Sequence, residues 1–273
     1  MTGVTSTLLA AALAALVLLP FVVLTISVTV GYALRSLYQG LETLPHSALV
    51  PLLARETVAN WRIFLWTLLR QRGGEPLRSG RTVVLVHGLA ADGCSMRALG
   101  EALDRAGRAT ASPHLGRMFR PIERYADHLE RAIDHALARQ AHSGVEGIDV
   151  VAHSLGGIVL RACLARRPDL AAQVKNVVSI AAPHAGSGIA RNLPLPEARQ
   201  LFIGAPYLAT LPTLRTLAPH ARITSIASKH DAIVYPMETS RVEGADTHEL
   251  AHVGHAELLV HAGVADLVVA AVA

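Results

Sequence analysis

Between Val150 and Gly157 the chain reads VVAHSLGG, and no other string limits its fold as tightly. A β-branched run gives way to a helix-forming run within a residue, so strand and helix must meet at a sharp corner. Backbone segments crowd together at such a corner, and the residues two before and two after its centre must be small. Here they are Ala152 and Gly156, which fits the pattern G-x-S-x-G with alanine in place of the first glycine. The corner lifts the Ser154 hydroxyl clear of a sheet edge. It also sets the Leu155 N–H at the positive end of a helix dipole, where an oxyanion would be stabilised. The plain alternative is a serine that only N-caps its helix.

Around this corner, strands and helices alternate. Thr82–His87, Gly147–His153, Val174–Ala181 and Arg222–Ser228 read as strands. Pro121–His142 carries Ile122, Tyr125, Leu129, Ile133, Ala136 and Leu137 at helical spacing; Ser154–Arg167, stopped by Pro168, and Glu257–Val272 read as further helices. Continuous apolar strands separated by helices predict a mostly parallel, doubly wound α/β sheet covered on both faces. Residues 186–219, rich in Pro, Leu and Gly, predict an insertion at the sheet edge, long enough to form a lid. Arg97, Arg105 and Arg108 read as one solvated helix face. Two cysteines, Cys94 and Cys163, exclude a disulfide scaffold. The net charge of +4 is almost wholly arginine, without a basic block interleaved with aromatics, which argues against a nucleic-acid partner.

Hydrophobic residues make up 51% of the 273 and charged residues only 17%, and the imbalance concentrates at the amino terminus. Met1–Leu34 contains no charged side chain, and Leu8–Leu34 exceeds the roughly 20 residues that span a bilayer. A cleaved signal peptide would have a basic start and a shorter apolar run, and a buried soluble helix would have polar punctuation. The division expected is therefore a transmembrane anchor over 1–36, a helical connector over 37–80 and a globular body over 81–273. Arg35 tilts the positive-inside balance toward a cytoplasmic body and is the sole residue to do so. Trp61–Arg72 (WRIFLWTLLRQR) predicts an amphipathic helix, lying either at a membrane interface or against the body. Gly73-Gly74 then opens a loop to Arg81.

A serine hydroxyl needs a base, and the base a carboxylate to orient it. In a strand–corner–helix topology the chain order is serine, acid, histidine. Asp231 lies in the loop after Arg222–Ser228, with Glu243 and Asp246 in reserve. His255 follows a glycine turn and precedes a helix, and for that placement it is preferred to His248, His252 and His261, with His252 in reserve. His87-Gly88-Leu89 after the first strand lets the chain fold over the sheet edge and offer the Leu89 N–H as a second oxyanion donor; alone, it is equally an ordinary turn. His248–His252 (HELAH) fits the zinc-binding pattern H-E-x-x-H, which requires a helix. Gly244 and Gly254 flank it closely, so it reads instead as a short strand or loop.

From Thr82 to Ala273 the chain resembles the α/β-hydrolase superfamily, in its bacterial lipase and esterase branch. The resemblance rests on VAHSLGG, HGL, SKHDAIVYP and HVGHAELL in that family's order, and on Ala181–Ser187 (AAPHAGS), similar to the family's TPHxGS segment. It implies a triad of Ser154, Asp231 and His255 acting through an acyl-enzyme, with Leu89 and Leu155 as oxyanion donors. It further implies His87, Gly88, His153, Pro183 and His184 about the substrate, no metal and no cofactor. The substrate implied is a lipid-like carboxylic ester, with Leu193–Leu217 as acyl pocket or lid. The same triad would also serve an acyltransferase, and the same fold a non-catalytic, membrane-tethered binding protein.

Overall fold

The computed structural model describes residues 22–23, 25–26, 28–33, 35, 44–71, 80–116, 120–141 and 144–273. Strands β1 (Val83–Val86), β2 (Thr110–Ala111), β3 (Ile148–His153), β4 (Val174–Ile180), β5 (Arg222–Ser228) and β6 (Asp246–Leu250) form one sheet. Its order is β2-β1-β3-β4-β5-β6, and every pairing is parallel. The chain leaves β1 toward β2 and returns to the other side of β1 as β3, so the order reverses between β1 and β3. Crevices at such reversals are where open α/β sheets bind ligands.

Period-two alternation divides the strand side chains between two cores. Val84, Val86, Val150, Ala152, Val177 and Ile223 face one side. Val83, Leu85, Val151, Val178 and Ile226 face the other. Helix α1 (His46–Leu68) precedes the sheet, and α2 (Arg97–Arg105), α3 (Ile122–Gln140), α4 (Leu155–Arg166) and α5 (Pro168–Gln173) follow in chain order. After β4 come the short helices α6 (Pro196–Leu201), α7 (Pro206–Thr210) and α8 (Leu214–Leu217), and α9 (Ala262–Ala271) ends the chain. Helices α3 and α4 cover the first core through Leu129, Ile133, Ile158 and Val159. Helices α2 and α9 cover the second through Leu99, Leu103, Val264 and Val268. Each such aliphatic side chain, taken fully out of water, stabilises the fold by about 1.5–3 kcal/mol.

The four strands expected from apolar runs are β1, β3, β4 and β5. β2 has only two residues, too few to carry a pattern, and β6 is the exposed edge sequence DTHEL, which has no apolar face. The expected terminal helix Glu257–Val272 is in fact two pieces, a 3₁₀ turn Glu257–Leu259 and α9, because Val260 and His261 leave helical geometry. Arg108 is not on a solvated face: it turns beneath the sheet to Asp149 and to the Val272 carbonyl. Asp149 is fully buried and also accepts from Arg81 (3.1 Å) and Asn176 (2.7 Å).

The insertion joins β4 to β5, two interior neighbours, and packs down on the α3/α4 face. Ala198, Leu201, Leu208 and Leu214 belong to the first core. Buried Glu197 accepts from the Arg120 N–H (3.0 Å) and the Tyr125 hydroxyl, fastening α6 to the start of α3.

The expected anchor, residues 1–36, lies largely outside the described residues. Among the described residues no helix is long and apolar enough to cross a membrane. Those described between 22 and 35 are helical, and their last part lies on the body. Tyr32 is buried against Leu52 and Ala232, and Arg35 donates to the Lys229 carbonyl. The tryptophan-bearing helix begins earlier than expected, at His46, and its Leu52, Glu56 and Ala59 are buried.

Candidate active site

The corner after β3 has the geometry its small residues foretell. Ser154 sits at φ 55°, ψ −128°, a left-handed conformation that costs a non-glycine residue of order 1–3 kcal/mol. An N-capping serine has extended backbone and a bonded hydroxyl. Ser154 has neither, since its side chain makes no cap bond. The strain is held in place by close packing. A Cβ on Gly156 would lie 2.6 Å from the Val86 carbonyl oxygen and 2.7 Å from that of His87. One on Gly88 would lie 3.0 Å from the Ser154 Cβ, and one on Gly157 would collide with Ala182. The ends of β1 and β3 therefore interlock, and the Ser154 N–H ties the corner to β4 through Ile180 O (2.9 Å).

Asp231 and His255, 24 residues apart, meet beside this corner. His255 Nδ1 lies 2.6 Å from Asp231 Oδ2. The other carboxylate oxygen, Oδ1, accepts from Ile233 N (2.7 Å) and Val234 N (2.9 Å), so the carboxylate cannot rotate freely. Burial pushes the His255 pKa down, but the charge and hydrogen bond of Asp231 and the charge of Glu56 outweigh it, leaving the imidazole above its ordinary 6.5. His153, next to Ser154, packs its ring 4.6 Å from that of His255 and donates from Nε2 to the His255 carbonyl (3.2 Å). Among the described residues the Ser154 hydroxyl has no hydrogen-bond partner.

Leu89 follows the end of β1, and Leu155 opens α4. Neither N–H donates to a described backbone carbonyl. His87 is buried with its ring fully engaged: Leu115 N donates to Nε2 (3.2 Å), so Nδ1 carries the hydrogen given to Gly88 O (2.9 Å). Burial pushes its pKa down to about 4, which keeps this tautomer neutral. Pro183 is buried beneath the site, and His184 Nε2 lies 2.8 Å from Ser179 Oγ. Burial and the Arg161 charge push the His184 pKa down to about 3.

The H-E-x-x-H string does not form a helix. His248–Leu250 is part of β6, Glu249 pairs with Arg241 (2.6 Å), and His252 stacks on His230 with 4.6 Å between centroids. His252 lies beyond the strand's end, so the two histidines do not share the helical face that the pattern requires. The reserve acid Asp246 faces His248 at 3.3 Å and takes no part near Ser154.

Two residues near the site are absent from the sequence reading. Arg161 is buried on α4 and donates to four carbonyls: Pro212 (3.0 Å), His184 (2.8 Å), Leu208 (3.3 Å) and Leu211 (2.6 Å). It thereby ties α7 and the link that follows it to α4. Glu56, on α1, reaches the loop of His255. The visible signal in both cases is a charged residue set into an apolar helical stripe. The insertion leaves a groove of about 450 Å³ lined by Ala190–Pro194, Arg199 and Phe202.

Residues 82–229, more than half of the chain, match the family described as palmitoyl protein thioesterase. No curated protein matches by overall sequence. Among solved structures, Aspergillus fumigatus lipase B superposes with TM-score 0.60 at 17% identity, over 70% of this chain and 52% of that one. The chain thus spans about half the length of that lipase. Mature Bacillus licheniformis lipase BlEst2 superposes with TM-score 0.58 at 14% identity, over 68% of this chain and 91% of the other. At these identities the likeness is one of fold, the α/β-hydrolase fold.

Proposed function

The chain belongs to the palmitoyl protein thioesterase family, and we propose that it is a serine hydrolase of long-chain acyl esters. Ser154 attacks the acyl carbonyl while His255 Nε2 takes its proton, and Asp231 holds the imidazole in the tautomer with hydrogen on Nδ1. The tetrahedral oxyanion lies between the N–H groups of Leu89 and Leu155, each worth about 3–4 kcal/mol in the transition state. His255 then protonates the leaving group, and water reverses the sequence to free the acid. The observation that carries this reading is the 2.6 Å Asp231–His255 contact beside a serine held at positive φ.

The family's description favours one extension, to thioesters. A thiol has a pKa of about 8.5, well below that of an alcohol, and so leaves with less help from the protonated histidine. The same site therefore serves both ester classes, with deacylation common to the two. His87, Gly88, His153, Pro183 and His184 shape the wall around Ser154. The acyl chain is taken by apolar surface near the insertion at about 25 cal/mol per Å² buried. The amino-terminal apolar stretch serves as a single-pass anchor; with Val28 and Tyr32 packed on the body, residues 8–27 are left to span the bilayer.

Ser154→Ala tests the proposal. Hydrolysis of a p-nitrophenyl acyl ester and of an acyl thioester should both vanish, and a fluorophosphonate should label the wild type alone. Either activity surviving in a folded Ser154→Ala protein refutes the serine mechanism. Labelling with an impermeant fluorophosphonate, on intact and broken cells, tests the anchor and its orientation.

A further inference from the structure

Glu56 is a buried carboxylate from outside the β/α body, and its two oxygens are both spent on the loop that bears His255. Oε1 accepts from Ala256 N and Oε2 from Glu257 N, each at 2.8 Å. These are the two amides immediately after His255. Arg55, beside it on α1, donates Nε to Glu257 Oε1 (2.6 Å) and Nη2 to the His252 carbonyl. Glu257 Oε2 in turn accepts from Gly254 N (3.0 Å). Residues 252–257 are therefore gripped from α1 at both ends, with His255 between the grips. Gly254 is required by this arrangement, since a Cβ there would collide with the Glu56 carboxylate.

A buried carboxylate is a costly way to secure a loop. Desolvation penalises its charge heavily, and a neutral group could bond one of these amides without that penalty. Beyond strengthening those two bonds, the charge gains a further use where a cation develops nearby, and the group beside it that gains one during the proposed reaction is His255. Resting on the triad reading above, we propose that Glu56 is the positioning residue of His255. Its carboxylate fixes the loop that aims the imidazole, and its charge joins that of Asp231 in stabilising the imidazolium.

The charged and titratable groups around the pair are Asp231 from the loop after β5, Glu257 and Arg55 in the grip itself, His153 from the corner, and Tyr32 and Arg35 from the amino-terminal helical residues. Burial pushes Glu56 itself above the usual carboxylate range, while the two amides pull it back.

The test uses the full chain with Glu56→Gln and Glu56→Asp, measuring kcat and KM for a p-nitrophenyl acyl ester across pH, with circular dichroism for folding. Glutamine keeps the size, removes the charge and turns an NH₂ group toward one of the two amides. For Glu56→Gln, kcat should fall about tenfold or more while KM changes little. The Glu56 charge raises the His255 pKa, so its removal lets the base stay neutral to lower pH. The acid limb of kcat/KM should accordingly move down by about half a unit or more. Glu56→Asp keeps the charge and withdraws the carboxylate by one methylene, so kcat should fall with the limb in place.

A folded Glu56→Gln with wild-type kcat overturns the proposal. So does one whose kcat falls while the limb stays put, since the role would then be structural only. If Glu56→Gln does not fold, Glu56→Asp decides: lowered kcat at unchanged KM with the acid limb in place supports the proposal, and wild-type kcat or a limb that moves overturns it. Fluorophosphonate labelling of the wild type separates the two levels. An unlabelled wild type removes the triad reading, whereas a labelled wild type with an indifferent Glu56→Gln removes only the role given to Glu56.

Discussion

Asp231→Asn changes one atom of the candidate site, and the surroundings dictate how the new amide must sit. Oδ1 of Asp231 receives two backbone N–H groups, from Ile233 and Val234. An NH₂ group cannot face two donors, so the asparagine carbonyl must take that position. Its NH₂ then points at His255 Nδ1, where the carboxylate oxygen now lies 2.6 Å away. Two donors cannot meet there either, so the imidazole must carry its hydrogen on Nε2 and present it to Ser154. In that tautomer it cannot accept the serine proton. The wrong tautomer alone costs about 10⁴-fold in kcat in the serine-triad template, or roughly 5.5 kcal/mol of barrier. The assay is steady-state hydrolysis of a p-nitrophenyl acyl ester, run beside the rate of fluorophosphonate labelling; both should fall together. A folded Asp231→Asn protein within about tenfold of wild type would refute the reasoning, for Asp231 would then not set the tautomer of a working base.

Gly156→Ala should destabilise the fold by about 1–3 kcal/mol and depress activity, because the added methyl meets the Val86 and His87 carbonyls at 2.6 and 2.7 Å; thermal unfolding and hydrolysis measure the two effects. Arg161→Met should cost about 2–4 kcal/mol by leaving the carbonyls of His184, Leu208, Leu211 and Pro212 without their donor. Limited proteolysis between residues 206 and 217 should speed up as a result. The pH profile of kcat/KM should fall on the acid side along a one-proton limb centred above 6.5, because the base must be neutral and His255 is held above that value by Asp231 and Glu56. A limb centred below 6.5 would contradict the electrostatics described.

What was legible in the sequence is what local sterics enforce. Gly156 and Ala152 report a crossing of backbones that permits nothing larger, and apolar runs such as VVLV report strands covered on both faces. The pairing of Asp231 with His255 is legible only by chain order, since nothing in KHDA or GHAE announces that the two side chains meet. β6 was hidden because an edge strand open to solvent needs no apolar alternation. Arg108 was misread for a related reason: its partner, Asp149, lies 41 residues away and buried at the foot of β3, which helical spacing cannot reveal. Glu56 was harder still, because its partners lie about 200 residues on. Its only trace is position, a carboxylate in register with Leu52 and Ala59 on the inward stripe of α1.

The candidate site is assembled in two halves that differ in how they are held. Ser154 and the amides of Leu89 and Leu155 stand on the ends of β1 and β3, interlocked through Gly88 and Gly156 within the stretch 82–229 that matches the family. Asp231 and His255 stand beyond that stretch, on loops after β5 and β6. Those loops are bonded to each other, Lys229 N to the Leu250 carbonyl and His252 N to His230 Nδ1. The amino-terminal part adds Arg35 on the Lys229 carbonyl, Tyr32 on Ala232, and Arg55 with Glu56 on residues 252–257. The sheet edge holds Ser154 through its own backbone contacts, whereas the loops of Asp231 and His255 also lean on the amino-terminal helical residues. Any force that shifts the amino-terminal helical residues is therefore felt first as misalignment of the Asp231–His255 pair. In the proposed mechanism a misplacement of about 1 Å there is enough to cost on the order of a hundredfold in rate, with Ser154 and the Leu89 and Leu155 amides left where they were.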